Sequence, residues 1–130
     1  MILLDSSVLI ELFRTSDKEK TLFYQLASID NDFAISIITH YEIFTGSSDK
    51  QDSFWTEFLD TIEILDLDVK TSEEAVKIYK QLKKTNKMID LADILIAATS
   101  ISNDIPVATL NLKHFGRIKG LEIVNKTNLA

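Results

Sequence analysis

Cysteine is absent from this 130-residue chain. That excludes a disulfide framework, a thiolate nucleophile and a cysteine-based zinc site. Two histidines, His40 and His114, are too few for a histidine-rich metal centre. Glycine occurs three times and proline once, which leaves little material for long loops or linkers. A net positive charge is also lacking. The formal charge of −6 argues against retention on nucleic acid by bulk charge alone. No apolar run approaches the ~20 residues needed to span a bilayer. Met1 leads directly into Ile2-Leu3-Leu4-Asp5, with no basic segment or apolar stretch of the secretory type. The expectation is a soluble, cytoplasmic protein with no membrane association.

What is present is ordinary for a globular chain: 45% hydrophobic and 26% charged residues. The length suits one domain over 1–130, since domains commonly hold ~100–150 residues. The charge is unevenly spread. Positions 49–74 carry nine acidic residues against Lys50 and Lys70, whereas positions 77–119 carry eight basic residues against Asp90, Asp93 and Asp104. An acidic average therefore conceals a basic stretch.

Hydrophobic patterning alternates between strand and helix. The short apolar run Ile2-Leu3-Leu4-Asp5 reads as a buried strand. Ser7–Phe13 and Lys20–Ile29 carry helical stripes. Phe33–Ile37 reads as a second strand. Thr39-x-x-Glu42 fits a capping box that opens a helix ending at Gly46. A helix over Ser53–Ile62 turns Phe54, Phe58 and Leu59 inward, and Glu63–Leu67 alternates as a strand. Thr71 or Ser72 caps a helix to about Lys87, with Ala75, Ile78, Tyr79 and Leu82 facing the core. Asp90 caps an almost wholly apolar helix to about Ser102. Pro106 opens a strand through Val107–Leu110, Leu112–Phe115 makes a helical turn, and Leu121–Val124 is an edge strand. This β-α-α-β-α-α-β-α-α-β-α-β order predicts an α/β fold with a mainly parallel sheet covered on both faces.

Ligands in such folds sit beyond the carboxyl ends of the strands. Asp5 ends the first strand there, Glu42 lies one helical turn past the second, Asp93 sits in the first turn of the apolar helix, and Thr109 and Asn111 close the fourth strand. Convergence of three carboxylates raises the pKa of at least one unless a cation intervenes. Oxygen-only ligands suit Mg²⁺ or Mn²⁺. Each residue also has a plain structural use. Asp5, Ser6 and Ser7 can cap a helix, Glu42 can complete its box, and Asp90-x-x-Asp93 can serve a cap and the helix dipole. Phe13, Phe23, Phe44 and Trp55 suit either the core or a protein interface. Lys77, Lys80, Lys84 and Lys87 share a helix face that suits either solvent or a phosphate backbone.

Four blocks together resemble the PIN-domain family. They are Ile2-Leu3-Leu4-Asp5-Ser6-Ser7-Val8-Leu9-Ile10, Ile35-Ser36-x-Ile38-Thr39-x-x-Glu42-Ile43-x-x-Gly46, Asp93-Ile94-Leu95-Ile96-Ala97-Ala98-Thr99 and Val107-Ala108-Thr109-Leu110-Asn111-x-x-x-Phe115. The compact length further resembles VapC toxins of type II toxin–antitoxin pairs. This resemblance implies a three-layer α/β/α sandwich with about five strands and a Mg²⁺- or Mn²⁺-dependent endoribonuclease. It implies Asp5, Glu42 and Asp93 as catalytic and metal-site acids, with Ser7 and Thr109 as supporting hydroxyls. The family's fourth acid falls at Asn111, which brings no charge, and Asp90 is the nearest compensation. RNA contacts would fall to Arg14, Lys84, Lys87, Lys113 and His114. The implied partners are an RNA substrate, a cognate antitoxin protein and a second copy in a homodimer. Two readings compete. One is a phosphoryl-transfer enzyme of haloacid-dehalogenase or receiver type with Asp5 as nucleophile, although Asp5-Ser6-Ser7 lacks the former's Asp-x-Asp. The other is an inactive binding module, favoured by Asn111.

Overall fold

A computed structural model describes residues 1–126. Its strands are β1 (Ile2–Leu4), β2 (Phe33–Ser36), β3 (Glu63–Leu65), β4 (Val107–Ala108) and β5 (Ile123–Val124). Its α-helices are α1 (Ser6–Arg14), α2 (Leu22–Ala27), α3 (Ile37–Thr45), α4 (Asp49–Leu59), α5 (Val69–Lys84), α6 (Leu91–Ser102) and α7 (Leu112–Phe115). The strands form one sheet in the order β3-β2-β1-β4-β5, and every pairing is parallel. β5 is at an edge, as its sequence suggested.

Alternation along the strands divides the core in two. Leu3, Ala34 and Val107 face α5 and α6, packing with Ile78, Leu82, Ile94, Ile96 and Phe115. Ile2, Leu4, Ile35 and Ala108 face the other way, against Val8, Leu9, Leu22, Leu26, Ile43 and Trp55. The fold is therefore a three-layer α/β/α sandwich. The central strand β1 is covered on both sides, and Leu3 and Leu4 are wholly buried. Its carboxyl end, where Asp5 begins, has β2 and β4 as neighbours.

Several helix boundaries differ from those the sequence suggested. No capping box forms at Thr39 and Glu42. Ser36 caps α3 instead, its Oγ accepting from the Ile38 N–H at 3.0 Å, so the helix opens earlier and Glu42 is released for other contacts. The capping box belongs to Ser48 and Gln51, which start α4 at Asp49. In that register Leu59 is buried as expected and Trp55 with it, whereas Phe54, expected inward, is exposed. Trp55 lies 5.3 Å from Phe13 between ring centroids, and Phe13, Phe23 and Phe44 all pack against the same core cluster. α2 is short because Thr21 takes the cap position.

Asp68, rather than Thr71 or Ser72, caps α5. Its Oδ1 accepts the Thr71 N–H at 2.8 Å and the Thr71 hydroxyl at 2.7 Å. Tyr79 on this helix is exposed. The helix stops at Lys84 because Asn86 adopts φ 56°, the left-handed conformation that closes a Schellman motif. The Lys87 N–H bonds Leu82 O and the Asn86 N–H bonds Lys83 O. Asp104, at φ 54°, ends α6 through the same pair of bonds to Ser100 and Ile101. In a chain poor in glycine, Asn and Asp supply this geometry. Lys87 therefore lies beyond the helix, off the face that carries Lys77, Lys80 and Lys84. β3, β4 and β5 are each shorter than their patterns implied; β4 ends at Ala108, although the Thr109 N–H still bonds Val124 O at 3.2 Å.

Candidate active site

Asp5 occupies the junction of β1 and α1 and is 3% exposed. It stands at the N-cap position of α1 but makes no side-chain cap bond. Its Oδ2 instead accepts the hydroxyls of Ser7 at 2.7 Å and Thr109 at 2.9 Å. The direction of those protons is set from behind. Ser7 Oγ accepts the Leu110 N–H at 3.0 Å, and Thr109 Oγ1 accepts the Asn111 N–H at 2.9 Å. Each hydroxyl thus accepts from a backbone N–H while donating its one proton to the carboxylate. The start of α1 and the loop after β4 are locked together by this exchange.

Burial pushes the Asp5 carboxyl above its ordinary pKa. The Ser7 and Thr109 hydroxyls pull it part of the way back, and the nearby charge of Asp93 raises it further. The charge of Asp93 thus reaches Asp5 although 88 positions separate them in the chain.

Asp93 lies in the first turn of α6, half-buried. Its Oδ2 is 2.7 Å from His114 Nδ1 and 3.5 Å from Asn111 Nδ2, and the latter is 3.1 Å from the imidazole nitrogen. Asp90, Asp93 and His114 can each direct a ligand atom so that all lie within 4.8 Å of one another. Asp90 holds the cap position of α6 without capping it, and is exposed.

Glu42 enters from α3. Its Oε1 accepts the Ser6 hydroxyl at 2.7 Å, a contact that binds α3 to the start of α1 beside Asp5. Ser6 Oγ also lies 3.2 Å from the buried Thr39 Oγ1. A cleft of about 140 Å³ opens next to Glu42, bordered by Phe13, Arg14, Gly46, Gln51 and Trp55.

The sequence-predicted residues thus divide into groups. Asp5, Ser7, Thr109, Asn111, Asp93 and His114 form one linked set, with Asp90 at its rim and Glu42 joined through Ser6. Arg14 lies on the cleft beside Glu42. Lys113 is exposed on α7 next to His114, and Lys87 is exposed in the connection that leads into Asp90. Lys84 is exposed at the end of α5 with no bond to the acidic set. Two roles escaped the sequence. Ser6 reads there only as a helix-capping residue. His114 reads as an RNA contact, although its i, i+3 spacing from Asn111 on a helical turn places both on one face.

The donor set suits a hard divalent cation. Asp5 is a desolvated carboxylate that feels the charge of Asp93 as well as the hydroxyls around it. Carboxylate and amide oxygens match the ligands such ions take, whereas the His114 imidazole is bonded to Asp93 and Asn111.

The family model for the PIN domain matches residues 2–121. The chain belongs to the PIN-domain family. It is 40% identical over 128 residues to Ribonuclease VapC1 of Methanocaldococcus jannaschii, covering 96% of this chain and 88% of that protein. Among solved structures it is similar to VapBC2 from Rickettsia felis bound to a promoter DNA fragment, with TM-score 0.82 and 26% identity over 96% of this chain and 98% of that one. It is also similar to a toxin–antitoxin complex from Klebsiella pneumoniae, with TM-score 0.78 and 27% identity over 95% and 96% of the two chains. The haloacid-dehalogenase and receiver readings of Asp5 end with this membership. The PIN-domain resemblance drawn from four short blocks extends, as expected, over nearly the whole chain.

Proposed function

We propose that this PIN domain is a divalent-metal-dependent endoribonuclease and the toxin of a toxin–antitoxin pair. The observation that carries the reading is Asp5. It is a buried carboxylate whose pKa burial raises, with the charge of Asp93 adding to that rise, and it is held by the hydroxyls of Ser7 and Thr109. Leaving such a group uncompensated is costly, and a cation relieves it. Asp5, Glu42 and Asp93 would hold Mg²⁺ or Mn²⁺, with Ser7 and Thr109 fixing the rotamer of Asp5. When bound, the ion supplies Lewis-acid chemistry, lowering the pKa of a water molecule and offsetting charge on the scissile phosphodiester. The chain's own part is to fix the carboxylates, since a fixed geometry makes one orientation of an attacking water and a phosphate more populated than others. Asn111 supplies no fourth charge. It donates towards Asp93, and Asp90 adds negative charge at the rim.

RNA would approach over this mouth and meet Arg14, Lys84, Lys87, Lys113 and His114. Binding through such contacts weakens as salt rises. The likeness to a toxin–antitoxin complex supports an antitoxin partner, and the cleft of mixed polar and apolar lining beside Glu42 and Arg14 is the surface offered to it. A homodimer and a cytoplasmic setting complete the reading. No helix among the described residues is long and apolar enough to cross a membrane.

The test is direct. Purified protein cuts RNA with Mg²⁺ or Mn²⁺, EDTA stops it, and added Mn²⁺ restores it. Asp5→Asn and Asp93→Asn remove the activity without unfolding the chain. Full activity in both variants, or cleavage insensitive to EDTA, overturns the reading.

A further inference from the structure

Two consecutive serines open α1, and their hydroxyls serve different carboxylates. Ser7 donates to Asp5. Ser6 reaches across 36 positions of chain to Glu42 Oε1 at 2.7 Å. The second acceptor within its reach, Thr39 Oγ1, is farther at 3.2 Å and uncharged. A hydroxyl has one proton. The shorter, charge-assisted bond to Glu42 takes it. Ser6 is 8% exposed and Thr39 fully buried, so neither hydroxyl has a mobile water layer in which to swing away.

Glu42 depends on this contact. It is half-buried, it makes no ion pair among the described residues, and Ser6 is the side chain hydrogen-bonded to its carboxylate there. A glutamate side chain has three rotatable bonds, and holding one oxygen on a rigid donor sets the direction of the other. The donor is rigid because it begins a helix directly after Asp5, whose backbone N–H bonds Ala108 O at 3.0 Å. One peptide unit therefore couples the placement of two acids from distant parts of the chain.

We propose that Ser6 is a positioning residue that holds Glu42 in its metal-facing orientation, as Ser7 and Thr109 hold Asp5. The proposal rests on Glu42 being a metal-site acid, as argued above. It assigns the adjacent hydroxyls separate tasks, where a helix-capping role would leave them interchangeable.

The experiment measures Mn²⁺ affinity of the full chain by the paramagnetic resonance signal of unbound Mn²⁺, without reference to cleavage. Circular dichroism and thermal unfolding are recorded for each variant. Loss of an outer partner of a metal ligand commonly weakens affinity by about 10–100-fold, and Ser6→Ala is expected at the lower end, about tenfold. Ser6→Thr keeps the hydroxyl and restores binding, whereas its isostere Ser6→Val does not; this pair decides the matter if Ser6→Ala unfolds. In a Glu42→Gln background, which itself binds Mn²⁺ weakly, adding Ser6→Ala costs nothing further, because the two act as one unit. A serine that merely ties α1 to α3 gives the same loss in both backgrounds, and that result overturns the proposal. So does parental affinity in Ser6→Ala while Glu42→Gln loses it. Parental affinity in Glu42→Gln overturns the assignment of Glu42 itself, and Ser6 falls with it.

Discussion

Asp5 and Asp68 occupy the same local position and behave in opposite ways. Each follows a β-strand or its tail and stands in extended backbone at the N-cap of a helix. Asp68 bonds the Thr71 N–H and hydroxyl three residues on, and those contacts hold its carboxyl below the ordinary pKa. Asp5 declines the cap. It takes hydroxyls from Ser7 and from Thr109, 104 positions away, and burial holds its carboxyl above the ordinary value. A cap satisfies its own helix and needs nothing beyond it. A carboxylate that leaves its helix uncapped and is fixed by distant hydroxyls has been placed for another purpose. Asp90 shares the second pattern, at the start of α6 with no cap bond and Asp93 and His114 beside it.

The largest expected effect separates these two aspartates by activity. Outer partners of metal ligands are commonly worth about 10–100-fold, so removing a carboxylate itself should cost more. Asp5→Asn is expected to lower the initial rate of RNA cleavage by more than about 100-fold. Asp68→Asn, which can still cap, stays within about twofold. Equal losses in the two would break the contrast. The next effect comes from Asn111→Asp, which adds charge to the crowded mouth around Asp93. Mn²⁺ affinity should tighten, and thermal stability in EDTA should fall, because a third carboxylate there repels its neighbours. Calorimetry with and without Mn²⁺ reads both. Tighter binding without a loss of metal-free stability would mean that the mouth is less crowded than Asp5 and Asp93 indicate.

How much of this was visible in the residues follows the same divide. The element order and the parallel sheet were legible because short apolar runs, such as Ile2–Leu4, alternate with helical stripes. Asp5, Glu42 and Asp93 were legible as acids placed after strands or at the head of an apolar helix. Ends were less so. Asn86 and Asp104 close α5 and α6 in left-handed backbone, and nothing in composition separates such residues from ordinary loop polar groups. Ser36 caps α3 where the spacing of Thr39 and Glu42 pointed to a capping box; Ser and Thr satisfy the same short-range rule, and Thr39 and Glu42 bond Ser6 instead. Phe54, expected inward, turned outward once α4 began at Asp49. Hydrogen bonds such as Thr109 to Asp5 depend on sheet order, which one chain's spacing does not encode.

The smallest effect is thermodynamic and tests the opposed titrations themselves. Asp5 has a folded pKa above its unfolded one, so its ionised form costs stability. That cost is absent below the ordinary carboxylate range, grows as pH rises through it, and is complete above the folded pKa. In EDTA at neutral pH, Asp5→Asn should therefore raise the melting temperature, and the gain should vanish in acid. Asp68 has a folded pKa below its unfolded one, so its contribution is present above the ordinary range and is lost as pH falls through the folded value. Asp68→Ala should lower the melting temperature at neutral pH and converge with the parent in acid. Melting curves in EDTA across the acid range would show two differences of opposite sign closing towards zero. A fall in the melting temperature of Asp5→Asn at neutral pH would mean that the hydroxyls of Ser7 and Thr109 outweigh desolvation, and Asp5 would then be stable as an anion with no cation beside it.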